Sequence, residues 1–321
     1  MKAFFTKLVG LLVLFYALLW ILQCYVDFRL KETYDGVYTD WNLLFQGKIN
    51  STMIFLGNSR AEAHFDPDLI TAKTGIASYN LGFAGATLAV EQMRWKSYLA
   101  HNKPPKIVVQ NIDLYAFSEK KIPNKAQFLP YYSEPEVFQK LQELDATTKL
   151  EKYIPMSKYR GFQSEIWKSL CWNSGSNYRG KKRKGYLVHQ ASWNSDFDNF
   201  KKTLHGKSVA YSPDAFKKGW QELDQIIADC KAIHAKLILV WTPSYAELNA
   251  LEEPSFSQMK ELIQKKVTQN QDVVFWDFSK QPFNGNKAYF YNSFHMNSKG
   301  VQVFDTQFSD SLNVYLKKIT P

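Results

Sequence analysis

The rhythm of apolar and polar positions divides the chain into stretches of different kinds. Leu8 to Val26 hold no charged side chain, a run of 19 residues dominated by Leu, Phe, Tyr, Trp and Ile. As a helix this run spans about 28 Å at roughly 1.5 Å per residue, close to the hydrocarbon thickness of a bilayer. Residues 28–50 read as a mixed polar and aromatic connector. Short apolar runs then alternate with amphipathic stretches. Ser51 to Leu56, Ala77 to Leu81 and Lys106 to Ile112 read as strands, and Leu88 to Ala100 as a helix. Asp66-Pro67-Asp68 starts a short helix, with Asp66 as N-cap and Pro67 in the first helical position.

The alternation fails from about residue 115 to 211, a stretch read as an insertion within one domain. It holds a helical piece near Pro135 to Lys149 and the basic run Lys181-Lys182-Arg183-Lys184. That run reads as a solvated loop or as a contact for anionic lipid or glycan. The alternation resumes with a helix from Ser212-Pro213-Asp214 to about His234. A strand at Leu237 to Trp241, a helix at Ser255 to Thr268, a strand at Asp272 to Trp276 and a last helix from Ser298 to Lys318 follow. Strands alternating with helices imply a parallel sheet covered on both faces, with ligands bound at the carboxyl ends of its strands. The predicted architecture is therefore α/β, a three-layer α/β/α sandwich around a central parallel sheet, preceded by one N-terminal transmembrane helix. The predicted organisation is an anchor at 1–27, a connector at 28–50 and a domain at 51–321.

Charge refines the compartment. The 321-residue chain carries a net charge of +10, which suits anionic membrane surfaces or polyanions. No nucleic-acid motif accompanies that charge. Lys2 and Lys7 precede the apolar run, which favours a cytoplasmic N-terminus and a main domain outside the inner membrane. A cleaved signal peptide is the rival reading, but the run is long for one and no Ala-x-Ala-like site follows it. Cys24, Cys171 and Cys230 are the only cysteines and fit neither a disulfide framework nor metal-ligand spacing. Neither a metal nor a cofactor is expected.

Two segments carry candidate chemistry. Gly57-Asn58-Ser59-Arg60 follows the first strand, where a glycine permits a tight turn and a serine is held out at a helix start. The serine's own N–H faces the place an oxyanion would occupy. Read alone, Ser59 is the common helix cap of a βα loop. Asn292 and His295 lie three residues apart in a loop before the last helix, so one turn places both side chains together. Such a serine and histidine, brought together by the fold, suit nucleophilic acyl chemistry. Arg60 is a candidate contact for a polar or anionic acceptor, and His64, one turn beyond Ser59, a candidate second pocket residue.

In order, Gly57-Asn58-Ser59-Arg60, Tyr79-Asn80-Leu81-Gly82-Phe83-Ala84-Gly85-Ala86-Thr87 and Asn292-Ser293-Phe294-His295-Met296-Asn297 resemble the motif blocks of the SGNH/GDSL hydrolase superfamily. The resemblance covers roughly residues 51–112 and 212–317. It implies Ser59 as nucleophile, His295 as base and Gly85 N–H in the oxyanion hole, with Asn297 in a structural role. Two positions depart from the family pattern. The third block, normally Gly-x-Asn-Asp, here ends Gln110-Asn111-Ile112-Asp113. Asn111 is the candidate oxyanion donor, with Asp113 competing for the loop position. Asn292 stands where the family usually has aspartate, so it can orient the imidazole but cannot neutralise an imidazolium. The comparable change in a serine protease lowers kcat about 10⁴-fold through the wrong tautomer. Asp277, at another strand end, is a substitute acid.

The resemblance is nearest to the membrane-anchored branch that works beside membrane-bound O-acyltransferases. Teichoic-acid D-alanyl transfer and alginate or peptidoglycan O-acetylation proteins belong to that branch. It implies a tethered extracytoplasmic O-acyltransferase or acylesterase acting on a cell-envelope glycan or polymer, with a membrane-bound O-acyltransferase as partner. The rival is a non-catalytic SGNH-like module that binds polymer or scaffolds such a partner.

Overall fold

The computed structural model describes residues 1–34, 37–118, 122–171, 182–204 and 211–319. The chain begins with α1 (Lys2–Lys31) and α2 (Tyr38–Phe45), then β1 (Met53–Leu56), α3 (Ser59–His64), α4 (Pro67–Thr74) and β2 (Ser78–Asn80). Next come α5 (Leu88–His101), β3 (Ile107–Asn111), α6 (Pro135–Leu144), α7 (Thr148–Glu151) and α8 (Gln163–Cys171). A small hairpin, β4 (Lys182–Arg183) and β5 (Tyr186–Leu187), precedes α9 (Asp196–Leu204) and α10 (Pro213–Ala232). The last elements are β6 (Lys236–Trp241), α11 (Ala246–Thr268), β7 (Val273–Asp277) and α12 (Ser298–Ile319).

Contacts divide these elements into two units, Met1–Lys48 with Lys121–Tyr178, and Ile49–Lys120 with Arg179–Pro321. The first is helical. Its α1 is long and apolar enough to cross a membrane. Tyr38, Trp41 and Leu44 of α2 are buried, and the Trp41 ring meets Phe128 edge-on at 5.4 Å. The connector thus carries a packed helix. Lys158 reaches back to Asp27 at 2.7 Å, and Tyr159 bonds the same carboxylate.

The second unit is the α/β body. Five parallel strands run in the order β2-β1-β3-β6-β7. Register is continuous, with Phe55 beside Val109, Val109 beside Ile238 and Ile238 beside Val274. Because β1, β3 and β6 are central, both their faces are covered, and β1, the first three residues of β3 and Leu237–Trp241 of β6 are continuously apolar. Met53, Phe55, Val109, Ile238 and Val240 pack with Phe65, Phe304 and Phe308 into one cluster. The chain steps outward from β1 to β2 and returns to β3 on the other side. The loops after β1 and β3 therefore flank a topological switch point, where open α/β sheets hold ligands.

Two expectations change in detail. The helix expected from Ser255 begins at Ala246 and passes through Pro254. Its buried stripe of Leu248, Glu252, Phe256, Met259 and Ile263 runs across the proline, so burial outweighs the missing N–H. The described part of the basic run is not free in solvent: Lys182 pairs with Glu62 at 2.6 Å, Arg183 with Asp66 at 2.8 Å and Lys184 with Asp68 at 2.9 Å. Lys181 lies outside the described residues. The hairpin turn also accepts from Asn80 N–H at the Lys184 carbonyl, 2.9 Å away, covering the β2 edge.

Candidate active site

The turn after β1 is fixed by space. Gly57 has φ +144°, and a Cβ there would lie 2.7 Å from the Ala61 Cβ and 2.8 Å from the Asn111 Cβ. Asn58 caps α3, its Oδ1 accepting from the Arg60 N–H at 2.9 Å, while its Nδ2 donates to Asp113 Oδ2 at 2.8 Å. The loop after β1 is thereby tied to the loop after β3. Ser59 is the first helical residue, where the N–H has no intrahelical acceptor.

The second block is drawn onto this turn by Asn80. Its Nδ2 donates to the carbonyls of Ala61 and Phe65 at 2.7 and 2.9 Å, and its Oδ1 accepts from Gly82 N–H at 2.8 Å. Gly82 admits no side chain, since a Cβ would lie 2.5 Å from Glu62 N. Gly85, at φ +77°, lines the same pocket as Ser59.

His295 arrives from the loop before α12. Its Nε2 lies 2.8 Å from Ser59 Oγ, and its Nδ1 lies 3.0 Å from Asn292 Oδ1. The same Oδ1 accepts the backbone N–H groups of Phe294 at 3.0 Å and His295 at 2.9 Å. Two backbone donors require an oxygen at that position, so the amide is locked with its carbonyl toward the ring. Nδ1 must then carry the hydrogen, which leaves the Nε2 lone pair facing the serine hydroxyl. The wrong-tautomer defect expected of asparagine does not arise in this geometry. Burial, aided by the Arg60 and His189 charges, depresses the His295 pKa to about 3. Among the described residues no carboxylate touches the ring to offset that.

Around this pair the ring of Tyr291 stacks on His295 at 5.2 Å. His64 stands behind it: its Nε2 accepts the Met296 N–H at 3.0 Å, and burial together with His295 holds its pKa well below the ordinary value. His64 is a neutral acceptor bracing the loop and is not among the residues lining the pocket. Asn297 caps α12, accepting from Lys299 and Gly300 N–H groups at 3.1 and 3.2 Å.

A pocket of about 260 Å³ opens beside Ser59, lined by Arg60, Gly85, Ala86, Asp113, Tyr115, Phe294 and His295 among others. Asn111 is not in that lining; it is fully buried at the end of β3, its Oδ1 accepting from Thr242 Oγ1 at 3.0 Å. Asp113 takes the pocket position. Its carboxylate accepts from Asn58, Tyr115 N–H and Ala116 N–H, with Arg60 Nε at 3.8 Å, so it anchors loops and donates nothing. Arg60 is buried under Phe294, its guanidinium carbon 5.9 Å from the ring. Asp277 lies elsewhere, paired with Lys260 and capping Ser279 N–H at 2.9 Å.

Tyr115, Phe294 and Glu252 went unnoticed in the sequence. Tyr115 and Phe294 adjoin motif residues, which is the signal that points to them. Glu252 had none, because it lies ahead of the helix expected from Ser255. Burial lifts its carboxyl to about 7 despite the opposing pull of Arg60. Among the described residues no group of three or more His, Cys, Asp or Glu side chains is placed to hold a metal ion.

No family model and no curated protein sequence matches the chain. Among solved structures it is similar to a proposed acylhydrolase from Bacteroides fragilis, with 14% identity, TM-score 0.44, and 87% of this chain and 94% of that one covered. A proposed platelet activating factor from Streptococcus pneumonia is similar at 11% identity and TM-score 0.43, over 96% of this chain and 99% of that one. A family two carbohydrate esterase from Clostridium thermocellum is similar at 10% identity and TM-score 0.37, over 83% of this chain and 64% of that one.

Proposed function

We propose that the chain is a membrane-tethered serine acyl-transfer enzyme of SGNH type that moves or removes O-acyl groups on a cell-envelope glycan or polymer. The observation that carries the reading is the contact of His295 Nε2 with Ser59 Oγ at 2.8 Å, made across 236 positions of sequence. A chance surface histidine would not have its other nitrogen fixed by a locked amide.

In the proposed reaction His295 Nε2 takes the Ser59 proton as Oγ bonds to the acyl carbon. The carbonyl electron pair moves onto oxygen, and the Ser59 and Gly85 N–H groups stabilise that charge. The tetrahedral centre collapses, the carbon–oxygen bond to the leaving alcohol breaks, and that alcohol takes the proton from His295. Acyl-Ser59 then passes its acyl group to a sugar hydroxyl or to water, with His295 repeating the exchange. With Asp113 in place of a third donor, the oxyanion hole has two arms. A pocket of about 260 Å³ suits a small acyl group such as acetyl. Arg60, whose terminal nitrogens have no hydrogen-bond partner among the described residues, is assigned to a polar group of the substrate.

Lys2 and Lys7, ahead of the apolar run of α1, support a cytoplasmic N-terminus and an extracytoplasmic body. The resemblance to the tethered branch supports a membrane-bound O-acyltransferase as donor partner. A second reading, a binding module without turnover, is favoured by Asn292, since among the described residues the His295 ring meets an amide where an anionic partner would stand. The two readings separate on release of acetate from an aryl acetate and from an acetylated glycan. Turnover by the wild type that disappears in Ser59→Ala supports the enzyme; equal rates in both proteins would end it.

A further inference from the structure

The apolar run of α1 has company from the insertion. Tyr16 Oη donates to the Tyr153 carbonyl at 2.6 Å, and Gln23 Oε1 accepts the Met156 N–H at 2.7 Å. Asp27 then pairs with Lys158 at 2.7 Å. These contacts ascend in step, so residues 153–159 run alongside the helix. From Asp27 back to Tyr16 is about 16 Å at roughly 1.5 Å per residue. Tyr153 is therefore held level with the interior of the membrane-crossing run.

The turn at that level is apolar on its outer side. Leu150, Tyr153 and Ile154 are 65%, 63% and 53% exposed. An exposed apolar cluster of this kind marks a contact surface. Depth along α1 says what it contacts. Its backbone is also prepared for a place without water, where every polar group must be closed by protein. Tyr153 and Ile154 N–H groups donate to the Leu150 carbonyl at 3.1 and 3.2 Å, and Ser157 Oγ donates to the Ile154 carbonyl at 2.6 Å. Tyr16 closes the Tyr153 carbonyl, Gln23 closes the Met156 N–H, and Pro155 has none to close. Glu151, the one acid in the turn, is turned inward to Lys125 at 3.0 Å and Tyr132 Oη at 2.7 Å. Lys149 is exposed, with a long stem able to carry its charge toward the headgroups, and the Lys152 ammonium sits 4.3 Å over the Phe138 ring. On α8, which packs along α1, Trp167 and Leu170 are exposed on one side, a pairing suited to the interfacial level.

We infer that residues 150–154 form a foot that enters the extracytoplasmic leaflet beside α1, with lipid acyl chains as its partner. The inference rests on the membrane reading of α1, and the test separates the two. The full chain, with Cys24→Ala, Cys171→Ser and Cys230→Ala, takes an environment-sensitive probe at Tyr153→Cys, at Ile154→Cys or at Leu12→Cys. Each labelled protein is placed in phosphatidylcholine–phosphatidylglycerol vesicles containing lipids spin-labelled near the end of the acyl chain, the depth that Tyr16 marks on α1. Circular dichroism checks that each variant is folded. The foot predicts that probes at 153 and 154 lose most of their fluorescence, as does the probe at 12. Loss at 12 without loss at either 153 or 154 overturns the foot, leaves the anchor standing and means the turn faces protein or water. No loss at any position overturns both.

Discussion

Ser59 and His295 meet in one site but are held there by different means. The serine turn is fixed by exclusion of space: Gly57 and Gly82 admit no Cβ, and neighbouring backbone and side chains close over them. The histidine loop is fixed by polar contacts, through Asn292 Oδ1 and the His64 acceptor at Met296 N–H. Steric support is unforgiving and local, whereas hydrogen-bond support can be tuned one bond at a time. The serine side is thus expected to fail by misfolding, and the histidine side by graded loss of rate.

The largest effect is expected from the contact itself. His295→Ala removes the base while leaving the serine turn intact, and ester hydrolysis should fall about 10⁴-fold or more with the unfolding midpoint little changed. Next comes the steric side. Gly57→Ala forces a Cβ into Ala61 and Asn111 at a backbone angle that disfavours one, and urea unfolding should report a loss of about 2–4 kcal/mol. A neutral result would mean that the turn is not sterically held.

The polar side should respond by degree. Asn292→Asp keeps an oxygen for all three hydrogen bonds and adds a negative charge beside the ring. A negative charge favours the protonated imidazole, so the His295 pKa rises above about 3. Two consequences follow in the pH profile of kcat/KM. The acid limb, set by loss of the neutral base as pH falls, should move to higher pH in the variant. At neutral pH the stronger base should raise kcat about 10–100-fold. The gain is expected to be smaller than in a protease because the tautomer is already correct here. The smallest effect belongs to His64. His64→Leu leaves the Met296 N–H unpaired, a cost of about 1–3 kcal/mol, and should lower kcat about 10-fold with KM nearly unchanged. His64→Gln, which restores an acceptor, should recover most of that loss.

The sandwich and the meeting of Ser59 with His295 were legible because their signals are short-range: strand, tight turn and helix start around Ser59, and a one-turn spacing around His295. What stayed hidden depends on contacts between distant segments. Asn292 looked like a defect because its amide orientation is decided by backbone N–H groups of the folded loop. Asn111 and Asp113 were in competition because two positions separate a strand end from the loop that lines the pocket. Glu252 stayed hidden because it lies ahead of the helix expected from Ser255, and only the buried stripe across Pro254 identifies one helix. The pairing of the insertion with α1 was equally unreadable, since Asp27 and Lys158 lie 131 positions apart.

The central claim is that Ser59 is a nucleophile activated by His295. Labelling with a fluorophosphonate probe, followed by mapping of the modified peptide, tests it most directly. The account predicts one adduct, on Ser59, in the wild type and in Asn292→Asp, with none in Ser59→Ala. An unlabelled wild type, or labelling that persists in Ser59→Ala, would contradict it.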